Sequence, residues 1–261
     1  PFLLIDEMGP VDYGPGEAVG APWHPHRGFE TVTYLLDGRM QHEDSAGNSG
    51  ELNPGDVQWM TAGRGIIHSE EPHDEFRRTG GRTHGFQIWV NLPAEHKMMA
   101  PRYQEIPSEE SPTVYQEGVW ARVIAGECMG QKSSISTIIP IKLIHVRMNP
   151  DSVLSQEIES DLNSMIYVFG GKIVIDNQLE VRDHPLPRGL GVSQQVRDGE
   201  LAVLSKGKKI KIRSDIDSEF LILAGPEIDE QVARYGPFVM NTWEEINQAI
   251  TDYQNGNFLN P

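Results

Sequence analysis

The sequence predicts an all-β protein with two tandem β-domains and a short α-helix near its C-terminal end. Short runs of β-branched and aromatic residues alternate with turn signals along the 261 residues, which is typical of β-sandwiches and β-barrels. Examples of the predicted strands are 29–36, 57–60, 85–90, 120–124, 142–148, 164–169, 172–176, 200–204, 210–213 and 219–223. The turn signals are Gly9-Pro10, Gly14-Pro15-Gly16, Asp37-Gly38, Asn53-Pro54-Gly55-Asp56, Gly80-Gly81, Gly170-Gly171, Arg188-Gly189, Asp198-Gly199 and Gly225-Pro226.

The same order of strand and turn occurs in both halves of the chain. In the first half, a strand ends at Asp37-Gly38 and a Pro-Gly-Asp turn at 54–56 begins the next one. In the second half, Gly170-Gly171 and Asp198-Gly199 occupy the corresponding places. A repeat of this length indicates two copies of one β-domain.

The boundary between the copies is predicted from a stretch without strand character. Gly126, Gly130 and the polar run at 131–134 are typical of a linker. We therefore predict an N-terminal domain at 1–130 and a C-terminal domain at 131–261. The histidine pattern described below assigns the metal ligands to the first domain and none to the second.

The last segment has the pattern of an amphipathic helix over about 243–254. Thr242 and Glu245 have the spacing of a capping box, and Asn255-Gly256 is a natural stop. We expect the apolar face to pack on a β-domain, and a partner-binding helix is the alternative. The residues predicted on that face are Trp243, Ile246, Ala249, Ile250 and Tyr253.

The charge of the chain excludes one class of partner. The formal net charge is −16 and the pI is about 4.9. Such an acidic surface repels phosphate backbones, so we expect no direct binding of DNA or RNA. A basic protein partner remains compatible with this charge.

Cysteine content and hydropathy predict a cytoplasmic protein. A lone cysteine, Cys128, excludes an intrachain disulfide, and its type favours a buried hydrophobe over a nucleophile. No stretch has the ~20 apolar residues that a membrane helix needs, so no membrane is expected as a partner. Because the sequence begins with Pro1, we expect its natural start to lie upstream.

Two short stretches carry metal-type ligands at i and i+2. His24 and His26 form one pair, and His68 and Glu70 form the other. Side chains two residues apart in a strand project from the same face. Two such pairs facing each other inside a β-barrel would form a site of three histidines and one carboxylate. Seven of the nine histidines precede residue 97, which places the site in the first half.

This ligand set predicts an open, reactive metal site. Imidazole and carboxylate ligands suit iron, manganese, nickel, cobalt, copper or zinc. Three neutral imidazoles and one carboxylate leave a divalent ion with a net charge of about +1, and a six-coordinate ion keeps two free positions. A structural zinc site is disfavoured because no cysteine lies nearby in the sequence.

Glu30 is the reserve candidate for the carboxylate ligand. It lies four residues from His26, which is ~13 Å along a straight strand, so it could ligate only across a bulge. Glu70 lies one pleat from His68 and needs no distortion. Arg27 and Arg64 could meet an anionic substrate, but surface ion pairs are the more common role of such residues.

These motifs resemble a known superfamily and one family within it. The series His24-x-His26-x3-Glu30, Gly38, Pro54-x-Asp56 and His68 resembles the two-part motif of the cupins. The stretches HPHRGFETVTYLLDG, NPGDVQWMTAGRGIIHSE and YGPFVMNT resemble the pirin family. This resemblance implies two tandem cupin (jelly-roll β-barrel) domains. It also implies one metal ion, usually iron (Fe2+), held by His24, His26, His68 and Glu70, with the second domain as support.

The first function that the resemblance implies is a quercetin 2,3-dioxygenase-like oxidoreductase. In that reaction O2 adds across the heterocycle of a flavonol, and carbon monoxide is lost. The 3-hydroxyl of the flavonol binds the metal and loses its proton, for which Glu70 is the candidate catalytic base as well as a ligand. A flavonol-like aromatic substrate and O2 are the expected reactants, and no further cofactor is expected.

The alternative function is a non-enzymatic, iron-dependent regulator that binds a protein partner. The resemblance implies either a transcription cofactor, located also in the nucleus if the source is eukaryotic, or a regulator of metabolic enzymes. We expect a monomer in both cases. A deep pocket beside the metal would favour the enzyme, and a flat apolar patch would favour the regulator. A storage or scaffold protein is a third possibility, against which the four intact ligands argue.

Overall fold

A computed structural model describes residues 1–176 and 194–260, and the turn predicted at Arg188-Gly189 lies outside this part of the chain. Its strands up to residue 106 are β1 (Phe2–Tyr13), β2 (Ala21–His26), β3 (Phe29–Asp37), β4 (Met40–Asp44), β5 (Ser49–Leu52), β6 (Val57–Thr61), β7 (Ile66–Pro72), β8 (Gly81–Asn91) and β9 (Arg102–Ile106). A short helix, α1 (Asp74–Thr79), lies between β7 and β8.

The later elements include the predicted C-terminal helix, α2 (Trp243–Gln254). The strands that precede it are β10 (Thr113–Gln116), β11 (Val119–Ala125), β12 (Glu127–Cys128), β13 (Gln131–Lys132), β14 (Lys142–Met148), β15 (Ser152–Glu157), β16 (Leu162–Gly170), β17 (Lys172–Ile175), β18 (Gln194–Arg197), β19 (Leu201–Val203), β20 (Lys209–Ser214), β21 (Ser218–Pro226), β22 (Ala233–Tyr235) and β23 (Phe238–Met240).

The chain forms two compact units whose limits differ from the predicted domains at 1–130 and 131–261. The first unit combines Pro1–Glu110 with Ile228–Pro261, and the second is Ser111–Glu227. The C-terminal segment therefore belongs to the first unit. The physical reason is a shared apolar cluster, in which Phe238, Ile246 and Phe258 are buried and Ile67 of β7 packs against them.

The first unit contains two antiparallel sheets of the jelly-roll type. The larger has the order β1-β8-β3-β6-β9, and the smaller has the order β2-β7-β4-β5. Side chains of the two sheets meet between them, as shown by the hydrogen bond from Thr33 of β3 to Glu70 of β7. The small sheet carries both predicted ligand pairs on β2 and β7.

The second unit repeats this architecture with a different interior. Its sheets have the orders β10-β11-β14-β21-β16-β19 and β15-β20-β17-β18. Apolar side chains from both sheets, such as Ile144, Phe220, Leu154 and Ile212, form one buried cluster. The two units confirm the predicted all-β fold of two jelly-roll domains with one short C-terminal helix.

Helix α2 has the predicted bounds and cap, but its buried face differs from the prediction. The Glu245 backbone N–H donates to the Thr242 hydroxyl (3.2 Å), and the Thr242 N–H donates to the Glu245 carboxylate (2.9 Å). Trp243 and Tyr253 were expected on the packed face but are 58% and 42% exposed. Asp252 is buried there instead, because its carboxylate pairs with a buried arginine.

Among the described residues, neither helix has the length and apolar character that crossing a membrane requires.

Lys97 is a buried cation that joins three segments of the first unit. Its ammonium group donates to the carbonyl of Gly28 (2.8 Å), the side-chain oxygen of Asn91 (2.7 Å) and the carbonyl of Val239 (3.0 Å). Burial lowers the pKa of Lys97 to about 8, although the acidic side chains of Glu230 and Glu245 oppose this shift. The C-terminal segment is thereby fastened to the turn between β2 and β3.

The lowered pKa predicts a pH-dependent contribution of Lys97 to stability. Between pH 8 and pH 10 the unfolded chain holds the proton of this lysine and the folded protein does not. The free energy of unfolding therefore rises with pH in this window, by at most about 1.4 kcal/mol per pH unit. We expect this rise to be absent in Lys97→Met.

Urea unfolding of both proteins at pH 7.5, 8.5 and 9.5 measures the effect. The difference in free energy of unfolding, wild type minus Lys97→Met, should increase with pH. The exposed Lys206 provides a matched control, since Lys206→Met should leave the pH dependence of the wild type intact. A difference that stays constant or decreases with pH would contradict the prediction.

Candidate metal centre

The pairing of β2 with β7 brings three of the four predicted ligands together. The strands are antiparallel, and His24 lies directly opposite His68. His26 projects from the same face as His24, and the Nε2 atoms of the two rings are 2.9 Å apart. One ring nitrogen from each of the three histidines lies within 4.8 Å of those of the other two. This spacing is short enough for one metal ion to be bound by all three.

His24 is oriented by a backbone carbonyl. Its Nδ1 lies 2.8 Å from the carbonyl oxygen of Pro22. A carbonyl can only accept a hydrogen bond, so Nδ1 carries the proton and the Nε2 lone pair of a neutral His24 is free for a metal. Such a bond from the second ring nitrogen is the usual support of a metal-binding histidine.

The other two histidines are kept neutral by burial. Burial lowers the pKa of His26 far below its usual value, and the nearby His68 and His24 rings add to this effect. Burial also lowers the pKa of His68 to about 4, although Glu70 opposes the shift. Neutral imidazole is the form that binds metal, so these rings can act as ligands at neutral pH.

The surroundings of His68 fit a metal ion. Both of its ring nitrogens are buried, and neither has a hydrogen-bond partner among the described residues. An unpaired buried polar group costs about 1–3 kcal/mol, so two such atoms on one ring call for an unseen partner. The unpaired ring of His68 is therefore consistent with its predicted role as the third histidine ligand.

Glu70, the predicted fourth ligand, is held beside the histidines but is not part of their cluster. It is 5% exposed, and its two carboxylate oxygens accept from the Thr33 hydroxyl (3.0 Å) and the Gln87 amide (2.9 Å). The Trp89 indole N–H in turn donates to the Gln87 side-chain oxygen (3.4 Å). The sequence analysis did not identify Thr33 and Gln87 as site residues. The one signal for them was their alternation with apolar residues in predicted strands, which marks a common face.

Glu30, the reserve ligand, lies on the other face of β3 from Thr33. It is fully buried and accepts a hydrogen bond from the Thr61 hydroxyl (2.6 Å). Burial raises the pKa of Glu30, and the hydrogen bonds from Thr61 and Trp59 oppose that shift. Glu30 and the inward-facing Thr33 are three residues apart on the strand. Strand alternation therefore directs the Glu30 side chain away from the histidine cluster.

Arg27 is not the surface residue expected from its charge. It is 1% exposed, and its Nη1 atom lies 2.7 Å from the Asp252 carboxylate of α2. Its Nη2 atom donates to the Phe258 carbonyl (2.8 Å). A contact to an anionic substrate, the first of its two predicted roles, is therefore contradicted by its burial and its protein partners. Arg64, by contrast, is exposed.

A cavity of about 650 Å³ lies against the end of β4 and the start of β7 in the small sheet. Its lining includes Asp44, which is opposite His68, and Ile66, which is opposite His26. The four predicted ligands are not among the lining residues, so the cavity borders the cross-strand neighbours of two histidines and not the ligands themselves. The cavity is also lined by the cationic side chains of Arg64 and Arg102, the aromatic ring of Tyr103 and the apolar side chain of Leu259.

Cys128 is unsuited to act as a nucleophile. The residue is fully buried, and burial raises the pKa of its thiol to about 11. Because the thiolate is the reactive form, this result agrees with the predicted role as a buried hydrophobe.

Two family models match the chain, the pirin model over residues 1–90 and the model of the pirin C-terminal cupin domain over residues 143–259. The chain belongs to the pirin family. Human pirin is 42% identical over 258 residues, which cover 98% of this chain and 81% of the human protein. The match to the second model includes α2, although α2 packs with the first unit.

Solved structures of pirin-like proteins have the same fold. A crystal structure of quercetin 2,3-dioxygenase from Acinetobacter baumannii matches with a TM-score of 0.89 and 35% identity, covering 99% of this chain and 86% of the other. A bacterial pirin from Escherichia coli, solved in complex with nickel(II), matches with a TM-score of 0.62 and 23% identity, covering 86% and 82%. These matches identify the two β-units as cupin domains.

The geometry predicts that His24 is essential for metal binding. His24→Ala removes the ring that faces both His26 and His68, so we expect stoichiometric metal content to be lost after purification. Elemental analysis of the wild type and the variant measures this directly. His96→Ala is a matched control, because His96 lies on a short exposed turn away from the cluster. Unchanged metal content in His24→Ala would show that the ligand assignment is wrong.

Proposed function

We propose that this member of the pirin family is a metal-dependent dioxygenase that opens the heterocycle of a flavonol. The observation that carries the proposal is the buried three-histidine cluster, whose His68 nitrogens have no partner among the residues described. The name of the Acinetobacter baumannii relative, quercetin 2,3-dioxygenase, supports this class of reaction at 35% identity.

The proposed ligands are His24, His26, His68 and Glu70, and the proposed native ion is iron. Nickel, manganese, cobalt, copper and zinc suit the same donor atoms. When bound, such an ion supplies Lewis acidity that lowers the pKa of the flavonol 3-hydroxyl and a site that orients the reactants.

Glu70 is the proposed proton acceptor for the flavonol 3-hydroxyl. The hydrogen bonds from Thr33 and Gln87 hold its carboxylate in one orientation. Its low exposure keeps bulk water from competing for the proton. In this role Thr33 and Gln87 are the groups that position the base, and Trp89 orients the Gln87 amide.

The cavity that borders the cross-strand neighbours of His26 and His68 supports a small-molecule substrate over a flat partner surface. Its volume of about 650 Å³ lies within the range of about 300–1,000 Å³ that is usual for ligand sites. Tyr103, Ile66 and Leu259 offer aromatic and apolar contacts, and Arg64 and Arg102 offer hydrogen-bond donors to the oxygen atoms of a polyphenol.

Aerobic turnover of quercetin by iron- or nickel-loaded protein tests the proposal. We expect loss of the flavonol absorbance together with O2 uptake and release of carbon monoxide. Glu70→Gln should lower kcat by roughly 10²- to 10⁴-fold, because a positioned base is lost. Glu109→Gln, at an exposed residue, is the control and should have wild-type activity. Absence of turnover with every divalent metal, in protein shown to be loaded, would refute the enzyme.

A regulator that binds a basic protein partner is the second candidate, and the net charge of −16 favours it. The charge of a bound iron changes by one unit on oxidation, so partner affinity would depend on the oxidation state. Pull-down with the Fe2+ and Fe3+ forms at two salt concentrations distinguishes this function. Equal recovery of any partner with both forms would contradict it.

A further inference from the structure

The end of the first ligand strand is held by the C-terminal segment of the chain. His26 is the last residue of β2, and the Arg27 N–H donates to the Pro237 carbonyl (3.3 Å). The Arg27 carbonyl accepts from the Val239 N–H (3.0 Å). Both backbone groups of the residue after His26 are therefore bonded to the segment around β23, not to the small sheet.

The side chain of Arg27 makes a second connection to this segment. It forms the buried ion pair with Asp252 of α2, donates to the Phe258 carbonyl, and stacks over the Phe258 ring at 4.3 Å from its centroid. Hydrogen bonds from Arg27 and Gln248 outweigh the effect of burial and lower the pKa of Asp252. Asp252 is thus an ionised group whose main partner is the residue adjacent to a ligand.

The second ligand strand meets the same segment. The Arg27 guanidinium also donates to the Arg64 carbonyl, two residues before β7 begins. A side chain at Gly65 would come within 2.8 Å of the Phe258 carbonyl, so the entry to β7 lies directly against the C-terminal segment. The segment therefore contacts both the end of the strand that carries His26 and the start of the strand that carries His68.

We propose that the C-terminal segment, residues 228–260, positions the metal centre, and that Asp252 acts through Arg27 to hold His26 in the geometry for binding. Asp252 is a positioning residue in this proposal, since it contacts neither metal nor substrate. The proposal rests on the metal site of the proposed function but not on its reaction.

Metal binding and the docking of α2 on the first unit are then coupled in both directions. If α2 favours metal binding, the metal must favour docking of α2 by the same factor. Metal loading should therefore slow amide hydrogen exchange in residues 243–254. A segment that only covered the barrel would show no such response to metal.

The test uses Co2+ as the probe, because its ligand-field absorption reports ligand geometry. We expect Asp252→Asn to lower Co2+ affinity by roughly 10- to 100-fold and to shift the absorption bands, as is usual when support of a ligand is lost. Affinity is measured by competition with a chelator, which requires no catalytic activity.

Two further variants separate positioning from simple destabilisation. Arg27→Met combined with Asp252→Leu replaces the buried ion pair by apolar contacts, which usually keeps or restores thermal stability. We expect this double variant to be as stable as the wild type but to bind Co2+ as weakly as Asp252→Asn. Ile106→Val shortens a buried side chain of β9, outside the C-terminal segment, and it should lower the melting temperature by about 2–4 °C while Co2+ affinity stays unchanged.

The outcomes are distinct from those of the proposed function. Wild-type Co2+ affinity and spectra in both Asp252 variants would overturn the positioning role. So would an affinity loss that follows melting temperature through all variants, Ile106→Val included. Failure of the wild type to bind any divalent metal would refute the metal centre itself, and failure to oxidise quercetin would leave the positioning role standing.

Discussion

The antiparallel register of β2 and β7 is the constraint on which the candidate site depends. It places His24 opposite His68, and strand alternation places His26 and Glu70 on the same face. A slip of β2 by one residue would turn Pro25 inward and both His24 and His26 outward, away from His68. The register is supported at the strand ends, where β2 stops at His26 and the chain turns at Gly28. That residue has φ 90°, and a Cβ there would lie 2.0 Å from the Val239 carbonyl, so only glycine fits.

The two cupin units share one architecture, but the space between the sheets is apolar in the second unit and polar in the first. In the second unit the space between the sheets is filled by aliphatic and aromatic side chains, and their burial stabilises the unit. In the first unit the same space contains imidazoles, a carboxylate and their hydrogen-bonding partners. These buried polar groups lower the stability of the first unit unless each has a hydrogen-bond or metal partner. Burial also keeps His68 neutral. A bound metal would supply the partner that the His68 ring lacks, so folding and metal binding support each other.

Much of the fold was predictable because it depends on local spacing. Strand β14 has the predicted bounds 142–148, and α2 has the predicted bounds and capping box. The packed face of α2 was not predictable in the same way. Hydrophobicity predicted Trp243 and Tyr253 on this face. Asp252 is buried there instead, because it pairs with Arg27, which lies 225 residues earlier in the sequence. Strands β1, β4 and β9 were not among the strands named from the sequence, because they are polar in part and are held by pairing with their neighbours in the sheets.

For the site, sequence spacing alone indicated which residues are candidate ligands and that they lie in two pairs. The common facing of side chains two residues apart in a strand is a local property. The same strand geometry explains why Glu30 was only the reserve candidate for the carboxylate ligand. The tertiary structure decided what surrounds them: Thr33 and Gln87 hydrogen-bonded to Glu70, the cavity next to the cross-strand neighbours of two histidines, and the C-terminal segment in contact with Arg27. Those contacts join strands and helices that are far apart in the chain. Local patterns do not specify them, because each depends on how complete sheets and the last helix pack together.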